Sequence, residues 1–170
     1  LEQRFGGVSR YVVEVAGRVA QSPGYTAVIS AGLHVNEYLV GAPVKVVGLK
    51  VPPVRRTVRL RALLNRAIDG ACLRGVRPAI VHETYYREAA VRHRQHRTVV
   101  TIHDLIHERY PQYFPGDQTV ARRKSAMQRA DALVCVSHAT KGYLSELYPQ
   151  HAHKAVVIHH GQNFREPPKL

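Results

Sequence analysis

A histidine and an aspartate directly follow an apolar run in the middle of the chain. The run Val99–Ile102 has the composition of a buried strand, and His103 and Asp104 come next. Open parallel sheets bind ligands in the crevice beyond the carboxyl ends of their strands, so His103 is expected at the lip of such a crevice. The sequence therefore predicts that this imidazole hydrogen-bonds a substrate hydroxyl, with a purely structural histidine as the alternative.

A second histidine four residues on raises the question of a metal. His103 and His107 have the spacing that places two imidazoles on one face of a helix, which would suit a metal-dependent hydrolase. His103 ends a strand pattern, however, and the sequence identifies no third ligand. We therefore predict no metal site, and the hydrolase remains a rival interpretation.

Aromatic side chains follow another predicted strand. The strand pattern at 78–82 is followed by Glu83, Thr84, Tyr85 and Tyr86. A tyrosine at a strand end can stack on a sugar or cover a crevice, and Tyr85 is predicted to bind substrate in this way. Ordinary loop packing is the alternative.

The pair Gly6 and Gly7 precedes an amphipathic helix. Glycines let backbone N–H groups approach a phosphate, and a helix N-terminus adds a favourable dipole, so Gly6, Gly7 and the nearby Arg10 are predicted to bind an anion. The segment has neither the P-loop nor the G-x-G-x-x-G spacing. A tight loop before a surface helix is the other interpretation.

The elements that would position these residues alternate between strand and helix. Strand patterns cover 25–30, 44–47, 78–82, 99–102, 132–136 and 155–158, and helix patterns cover 8–21, 54–74 and 118–129, with a last helix after Ser137. Asp117 and Ser137 are the predicted N-caps. This alternation predicts an α/β fold, a Rossmann-like parallel sheet with helices on both faces.

The helix at 54–74 has an apolar stripe and a basic face. The stripe is expected to face the core, and it comprises Leu60, Leu63, Leu64, Ala67, Ile68 and Ala71. Arg55, Arg59 and Arg66 lie on the opposite side. A basic face of this kind can bind an anionic membrane surface or nucleic acid, and a solvated helix face is the simpler alternative.

Composition narrows the class of protein. A chain of 170 residues with 45% hydrophobic residues can form one packed domain, and no apolar run is long enough to cross a bilayer. Its formal net charge of +13 favours anionic partners. Cys72 and Cys135 lie in a helix and a strand pattern, which indicates free core thiols and a reducing compartment.

An ordered succession of motifs resembles a known family. The motifs are Gly6–Tyr11, Thr101–Leu105, Arg129–Lys141 and Val156–Gly161, and together they resemble the N-terminal half of retaining glycosyltransferases of family four, the mannosyltransferase-like GT-B enzymes. The resemblance covers nearly the whole chain. In such enzymes two Rossmann-like domains face a cleft; the N-terminal domain mainly holds the acceptor and the C-terminal domain the nucleotide sugar.

The resemblance implies a role for each motif. His103 would contact the transferred sugar, with Asp104 beside it, and the Gly6-Gly7 turn would approach the donor diphosphate. Ser137 and Lys141 would begin a helix near the cleft floor, and Gly161 would lie close to the interdomain hinge. These enzymes generally need no metal and no cofactor besides the nucleoside diphosphate sugar donor.

The resemblance also sets expectations for organisation and partners. Residues 1–161 would form the acceptor-side domain without its usual first strand, 162–170 would begin the interdomain linker, and the donor-binding domain would be absent, so the fragment alone is expected to be inactive. The expected reaction transfers a hexose, mannose or a similar sugar, to a saccharide or lipid-linked acceptor in polysaccharide biosynthesis. The expected location is cytoplasmic, with peripheral contact at the inner face of an anionic membrane. A non-catalytic module for anionic lipid is the rival, and nucleic acid is the weaker partner.

Overall fold

A computed structural model of the chain describes residues 4–52, 58–86 and 96–161. These residues divide into two compact units. We call them the N-terminal unit, which carries the first two helices and the first two strands, and the C-terminal unit, which carries the remaining elements. Residues 54–57 of the predicted second helix, which include Arg55, and the predicted linker 162–170 lie outside the described residues.

The N-terminal unit is a βα layer with a small core. Helix α1 spans Gly7–Gln21, strands β1 and β2 span Val28–His34 and Lys45–Lys50, and helix α2 spans Val58–Val76. The two strands are parallel and pair with each other. The core consists of Ile29, Ala31 and Leu39, and Val12, Val13 and Ala16 of α1 pack against it.

A glycine pair shapes the sheet of the N-terminal unit. The register between β1 and β2 shifts between Ser30 and Gly32, where Gly32 has a φ of 57°. A Cβ on Gly48 would lie 2.5 Å from the Gly32 carbonyl oxygen, so the strands approach too closely for any side chain there. Asn65 of α2 satisfies the displaced backbone, accepting from Leu33 N at 2.6 Å and donating to Leu33 O at 3.3 Å.

The leucines of helix α2 do not face the core as predicted, and Arg66, predicted on the opposite side, is exposed as well. Leu60, Leu63 and Leu64 are 58%, 65% and 42% exposed, so the expectation that this stripe faces the core is wrong for them. The reason is that the polar side of the helix forms hydrogen bonds with β1. Asn65 bonds Leu33, as described above, and Asp69 accepts a 2.5 Å hydrogen bond from Ser30 Oγ. These bonds hold the polar side against the strand and leave the leucines outward.

The C-terminal unit contains a four-stranded parallel sheet in the order β3-β4-β5-β6. Its strands are β3 Ile80–Glu83, β4 Arg97–Ile102, β5 Ala132–Cys135 and β6 Ala155–Val157. Its helices are the short α3 Ile106–Arg109, α4 Thr119–Arg129 and α5 His138–Leu147, with 3-10 turns at Pro111–Tyr113 and Pro149–Lys154. Parallel strands place all their carboxyl ends at one edge, which we call the carboxyl edge.

The core of the C-terminal unit lies between this sheet and its helices. Val100, Ile102, Leu133 and Cys135 of the strands are fully buried together with Met127 of α4. At the amino edge of the sheet, Asp131 accepts hydrogen bonds from Thr98 N and Arg97 Nη1, each at 2.8 Å. These bonds tie the start of β4 to the start of β5 and so fix the register of the central strands.

The α/β, Rossmann-like class predicted from the sequence is confirmed, with three corrections. The described strands form two parallel sheets instead of one. Val19, expected on the buried face of α1, is 38% exposed. Gly17, expected on the polar side, is buried against Pro43, so closely that a Cβ on Gly17 would lie 2.9 Å from Pro43 Cγ. The N-cap of α4 is Gln118 and not Asp117 as predicted. The Asp117 carboxylate nevertheless accepts a hydrogen bond from Thr119 N, the first residue of the helix.

Candidate functional site

The carboxyl edge of the C-terminal unit brings together polar residues from four strand ends. Thr84 follows β3, His103 follows β4, Ser137 follows β5 and His160 follows β6. The sheet order places each loop beside the next, so residues distant in sequence share one rim. We call this rim the candidate site.

His103 is held by neighbours on both sides within this rim. Its imidazole is hydrogen-bonded to the backbone of Thr84 and lies with its ring centroid 5.5 Å from that of His160. Burial lowers the pKa of His103, and the nearby His160 lowers it further, against the opposing effect of Asp104. The imidazole is therefore uncharged at neutral pH, the form that can both donate and accept a hydrogen bond.

His82 supports this arrangement from within the sheet. Its Nε2 lies 2.7 Å from Thr101 Oγ1 of β4, a hydrogen bond across the two strands. Burial lowers the pKa of His82, so it too is neutral near pH 7. The pair fixes the last residues of β3 relative to β4, immediately before the loops that carry Thr84 and His103.

The start of α5 completes the rim after β5. Ser137 Oγ accepts a 3.0 Å hydrogen bond from Thr140 N, which confirms the predicted N-cap. Lys141 lies in the first turn of α5 and is half-buried, and its backbone N–H bonds the Ser137 carbonyl at 3.1 Å. His138 faces His159 across the loop after β6, with ring centroids 5.5 Å apart. Ser137 and Lys141 thus lie at the same edge of the sheet as His103.

Asp104 turns the chain away from the strand and meets a buried cation. Its Oδ1 accepts from Ile106 N at 3.3 Å, which starts α3, and lies 3.7 Å from Arg123 Nη2 of α4. Arg123 also forms an ion pair with Glu108 through Nη1. Arg123 is only 2% exposed, and the carboxylates of Asp104 and Glu108 compensate its buried charge.

Two tyrosines complete this buried cluster. The Arg123 guanidinium carbon lies 4.8 Å from the centroid of the Tyr86 ring, and the Tyr148 hydroxyl donates to Glu108 Oε1 at 3.0 Å. Burial raises the pKa of Tyr86 to about 12. Arg123 and Glu108 were not predicted from the sequence as site residues. A signal was present, since Arg123, Ala126, Met127 and Ala130 share the helical spacing of the buried face.

Tyr85, predicted to bind substrate, is the exposed partner of this pair. It is 58% exposed and its ring lies 5.5 Å from that of Tyr86. The loop after β3 thus presents one ring to solvent while the other is buried on Arg123. An exposed ring at a strand end is available for stacking on a ligand.

The two histidines of the metal hypothesis do not share a helix face. Helix α3 begins at Ile106, so His103 lies outside it. The His107 ring stacks on Phe114 with centroids 4.0 Å apart, and its Nε2 lies 3.4 Å from Asp117 Oδ2. Within residues 4–52, 58–86 and 96–161, no group of three or more His, Cys, Asp or Glu side chains could hold a metal ion.

The predicted anion-binding turn lies in the N-terminal unit. Gly6 has extended backbone and is the N-cap of α1, without a side-chain hydrogen bond, and Arg10 is exposed in the second turn. A Cβ on Gly7 would meet no atom within 4 Å, so internal packing does not require glycine there. The convergence of this turn with His103 on one ligand stays a prediction, because the two belong to different units.

Comparison with known proteins gives one clear relationship. Residues 5–165 match the family described as Glycosyltransferase Family 4. Comparison with curated proteins finds no match. No helix within the described part of the chain is both long and apolar enough to cross a membrane.

Proposed function

Because the chain belongs to glycosyltransferase family 4, we propose that it is the acceptor-side domain of a retaining GT-B enzyme. The reaction transfers a hexose, mannose or a similar sugar, from a nucleoside diphosphate sugar to a saccharide or lipid-linked acceptor. The observation that carries this proposal is the position of His103 at the carboxyl edge, where its imidazole is hydrogen-bonded to the Thr84 backbone and its ring lies against that of His160.

His103 acts in this proposal on the transferred sugar. A neutral imidazole at a strand end can hydrogen-bond a sugar hydroxyl and orient the ring for attack at the anomeric carbon. In retention the donor C–O bond to the diphosphate breaks and the acceptor oxygen bonds to the same face of that carbon. The departing diphosphate oxygen keeps the electron pair of the broken bond and takes up the proton that the acceptor hydroxyl loses.

Its neighbours at the carboxyl edge contact the saccharides. Tyr85 has an exposed ring for stacking on a sugar, and Ser137, Lys141 and Asp104, which lie in the segments after β5 and β4, carry a hydroxyl, an ammonium and a carboxylate. Sugars present both apolar ring faces and hydroxyls, so a rim of this composition suits them. We assign these four residues to substrate binding.

Gly6, Gly7 and Arg10 bind the donor diphosphate in this proposal. What supports it is that the space at the Cβ position of Gly7 is open and that Gly6 and Gly7 lie at the N-terminus of α1, where backbone N–H groups favour an anion. Arg10 adds a positive charge in the second turn. The dipole of α1 favours an anion at the same place.

A peripheral membrane location follows if the acceptor is lipid-linked. Helix α2 presents exposed leucines, and its exposed arginines Arg66 and Arg74 add positive charge. Such a surface favours the inner face of an anionic membrane in the cytoplasm. The same feature supports the second candidate function, a lipid-binding module without chemistry.

A transfer assay with the full-length protein tests the proposal. We expect His103→Ala to lower kcat/KM for the donor sugar about 10- to 100-fold, the cost of one or two lost transition-state hydrogen bonds, with little change in thermal stability. His153→Ala is the matched control, because His153 is exposed in the 3-10 turn that precedes β6. NMR of the product gives the anomeric configuration.

Three results would contradict the proposal. Full activity in His103→Ala would remove His103 from the site, and an inverted product would exclude retention. Absence of transfer with every nucleoside diphosphate hexose, combined with tight binding to anionic vesicles, would favour the lipid-binding module.

A further inference from the structure

The least expected residue of the C-terminal unit is a buried arginine. Arg123 lies on the inner face of α4 beside Met127, and its side chain is 2% exposed. Moving a guanidinium out of water is costly, and a well-packed apolar side chain usually serves stability equally well or better. The presence of a charge here is therefore explained poorly by stability alone, and its contacts indicate what else it does.

The contacts of Arg123 connect two loops: the loop after β3, whose Thr84 bonds His103, and the loop after β4, which begins with His103 itself. On one side Arg123 lies over Tyr86, two residues after Thr84 in the loop that follows β3. On the other side it pairs with Asp104 and Glu108, which flank the turn after His103. The hydrogen bond between His103 and the Thr84 backbone joins the same two loops at the surface.

We propose that Arg123 is a positioning residue, which holds the loop at Tyr86 and the turn from Asp104 to Glu108 together and thereby fixes the orientation of His103. Arg123 acts through the protein and does not touch the ligand itself. A bidentate, planar cation suits this task, because it can meet two carboxylates and a ring face at once, which a lysine cannot.

The arrangement also governs the charge that His103 experiences. Asp104 raises the pKa of His103, whereas burial, His160 and His82 lower it. Arg123 lies 3.7 Å from the Asp104 carboxylate and offsets part of its negative charge. Removing the guanidinium therefore leaves Asp104 uncompensated, and the pKa of His103 should rise.

An NMR titration of the His103 ring protons in the 170-residue chain tests this without any assay of transfer. We expect Arg123→Met to raise the pKa of His103 and to weaken the protection of amides in the loops at 84–86 and 104–108. Met127→Ala is the matched control: it creates a cavity on the same helix without touching either carboxylate, and should leave the His103 titration unchanged.

A double-variant cycle separates positioning from general destabilisation. Asp104→Asn keeps the oxygen that accepts from Ile106 and should by itself lower the pKa of His103. In that background Arg123→Met should raise it less, because only the Glu108 carboxylate then loses its partner. An equal rise in both backgrounds, or no rise in a folded Arg123→Met chain, would overturn the proposal.

Two further measurements keep the test decisive. If Arg123→Met fails to fold because Glu108 is left buried and unpaired, the Arg123→Met/Glu108→Gln variant removes both charges and is titrated instead. Only one expected result rests on the proposed function. In the full-length protein, Arg123→Met should lower kcat on the order of 10- to 100-fold and leave KM nearly unchanged. A shifted titration without that loss would refute the proposed role of His103 and leave the positioning intact.

Discussion

The imidazole rings of His103 and His160 lie with their centroids 5.5 Å apart across the loops that follow β4 and β6. The strands that carry them are not neighbours, since β5 lies between them in the sheet. Each loop must therefore extend over the end of β5 for the rings to meet. Repulsion from the neighbouring His160 ring contributes to the lowered pKa of His103.

Substitution of His160 should change the titration of His103 in a defined direction. His160 lowers the pKa of His103, so His160→Gln should raise it, because the variant keeps a polar side chain but carries no charge at any pH. The ring proton signals of His103, followed by NMR from pH 5 to 8, give the result. His153→Gln is the control, and a His103 titration equally shifted by both variants would show that the pairing is not the cause.

Acidification should destabilise the C-terminal unit through His82. Burial lowers the pKa of His82 below its ordinary value of 6.5, so the unfolded chain binds the proton more tightly than the folded one. The contribution of neutral His82 to the free energy of unfolding is fully present above about pH 6.5, and it is lost as the pH falls through the pKa of His82 in the folded protein. Urea midpoints measured between pH 7.5 and 5 should therefore decline on the acid side.

His82→Gln isolates this contribution, because glutamine can still bond Thr101 but does not titrate. The variant should show a shallower decline of the urea midpoint below pH 6.5, even if it is less stable at pH 7.5. Parallel curves for the two proteins would assign the acid sensitivity to other groups.

Two glycine substitutions should have opposite effects on stability. Gly48→Ala places a Cβ 2.5 Å from the Gly32 carbonyl oxygen, and this backbone clash should cost about 1–3 kcal/mol. Gly142→Ala lies within α5, where a Cβ meets no atom within 4 Å, and should stabilise by about 0.5–1 kcal/mol. Chemical denaturation of both variants measures the difference, and destabilisation by Gly142→Ala would contradict the packing of α5.

The sequence predicts the strand ends of the C-terminal unit well for a physical reason. Strand β5 is a continuous apolar run that ends near Ser137, and the mostly apolar second half of β4 ends just before His103. Burial of these segments leaves little freedom in where they end. The Ser137 cap is equally local, since its hydroxyl bonds a backbone N–H three residues on. Interactions of short range in sequence are the ones that a pattern can show.

The orientation of α2 and the role of Arg123 could not be predicted in this way. The leucine stripe of α2 has ordinary core spacing, but Asn65 bonds the backbone of Leu33 and Asp69 accepts from the Ser30 hydroxyl, both more than 30 residues away in β1. Arg123 depends on Glu108, Asp104 and Tyr86, which the turn after β4 and the loop after β3 bring to it. Polar contacts between distant segments decide both features. The helical spacing of α4 places Arg123 on the buried face but does not show which groups it contacts. The roles of the candidate site residues toward substrate remain predictions.

The exposed leucines of α2 should bind anionic membranes. Leu63 is 65% exposed, and with Leu60 and Leu64 it forms an apolar surface near Arg66. We expect the chain to sediment with vesicles that contain an anionic lipid, less so at high salt, since the arginine contribution is screened while leucine insertion is not. Leu60→Ser/Leu63→Ser should abolish most of this binding without loss of stability, because the side chains are already in water.

Leu49→Ser is the matched control, with a leucine 64% exposed on β2. Equal loss of binding in the control, or unchanged sedimentation of the double variant, would show that α2 is not the membrane-binding surface.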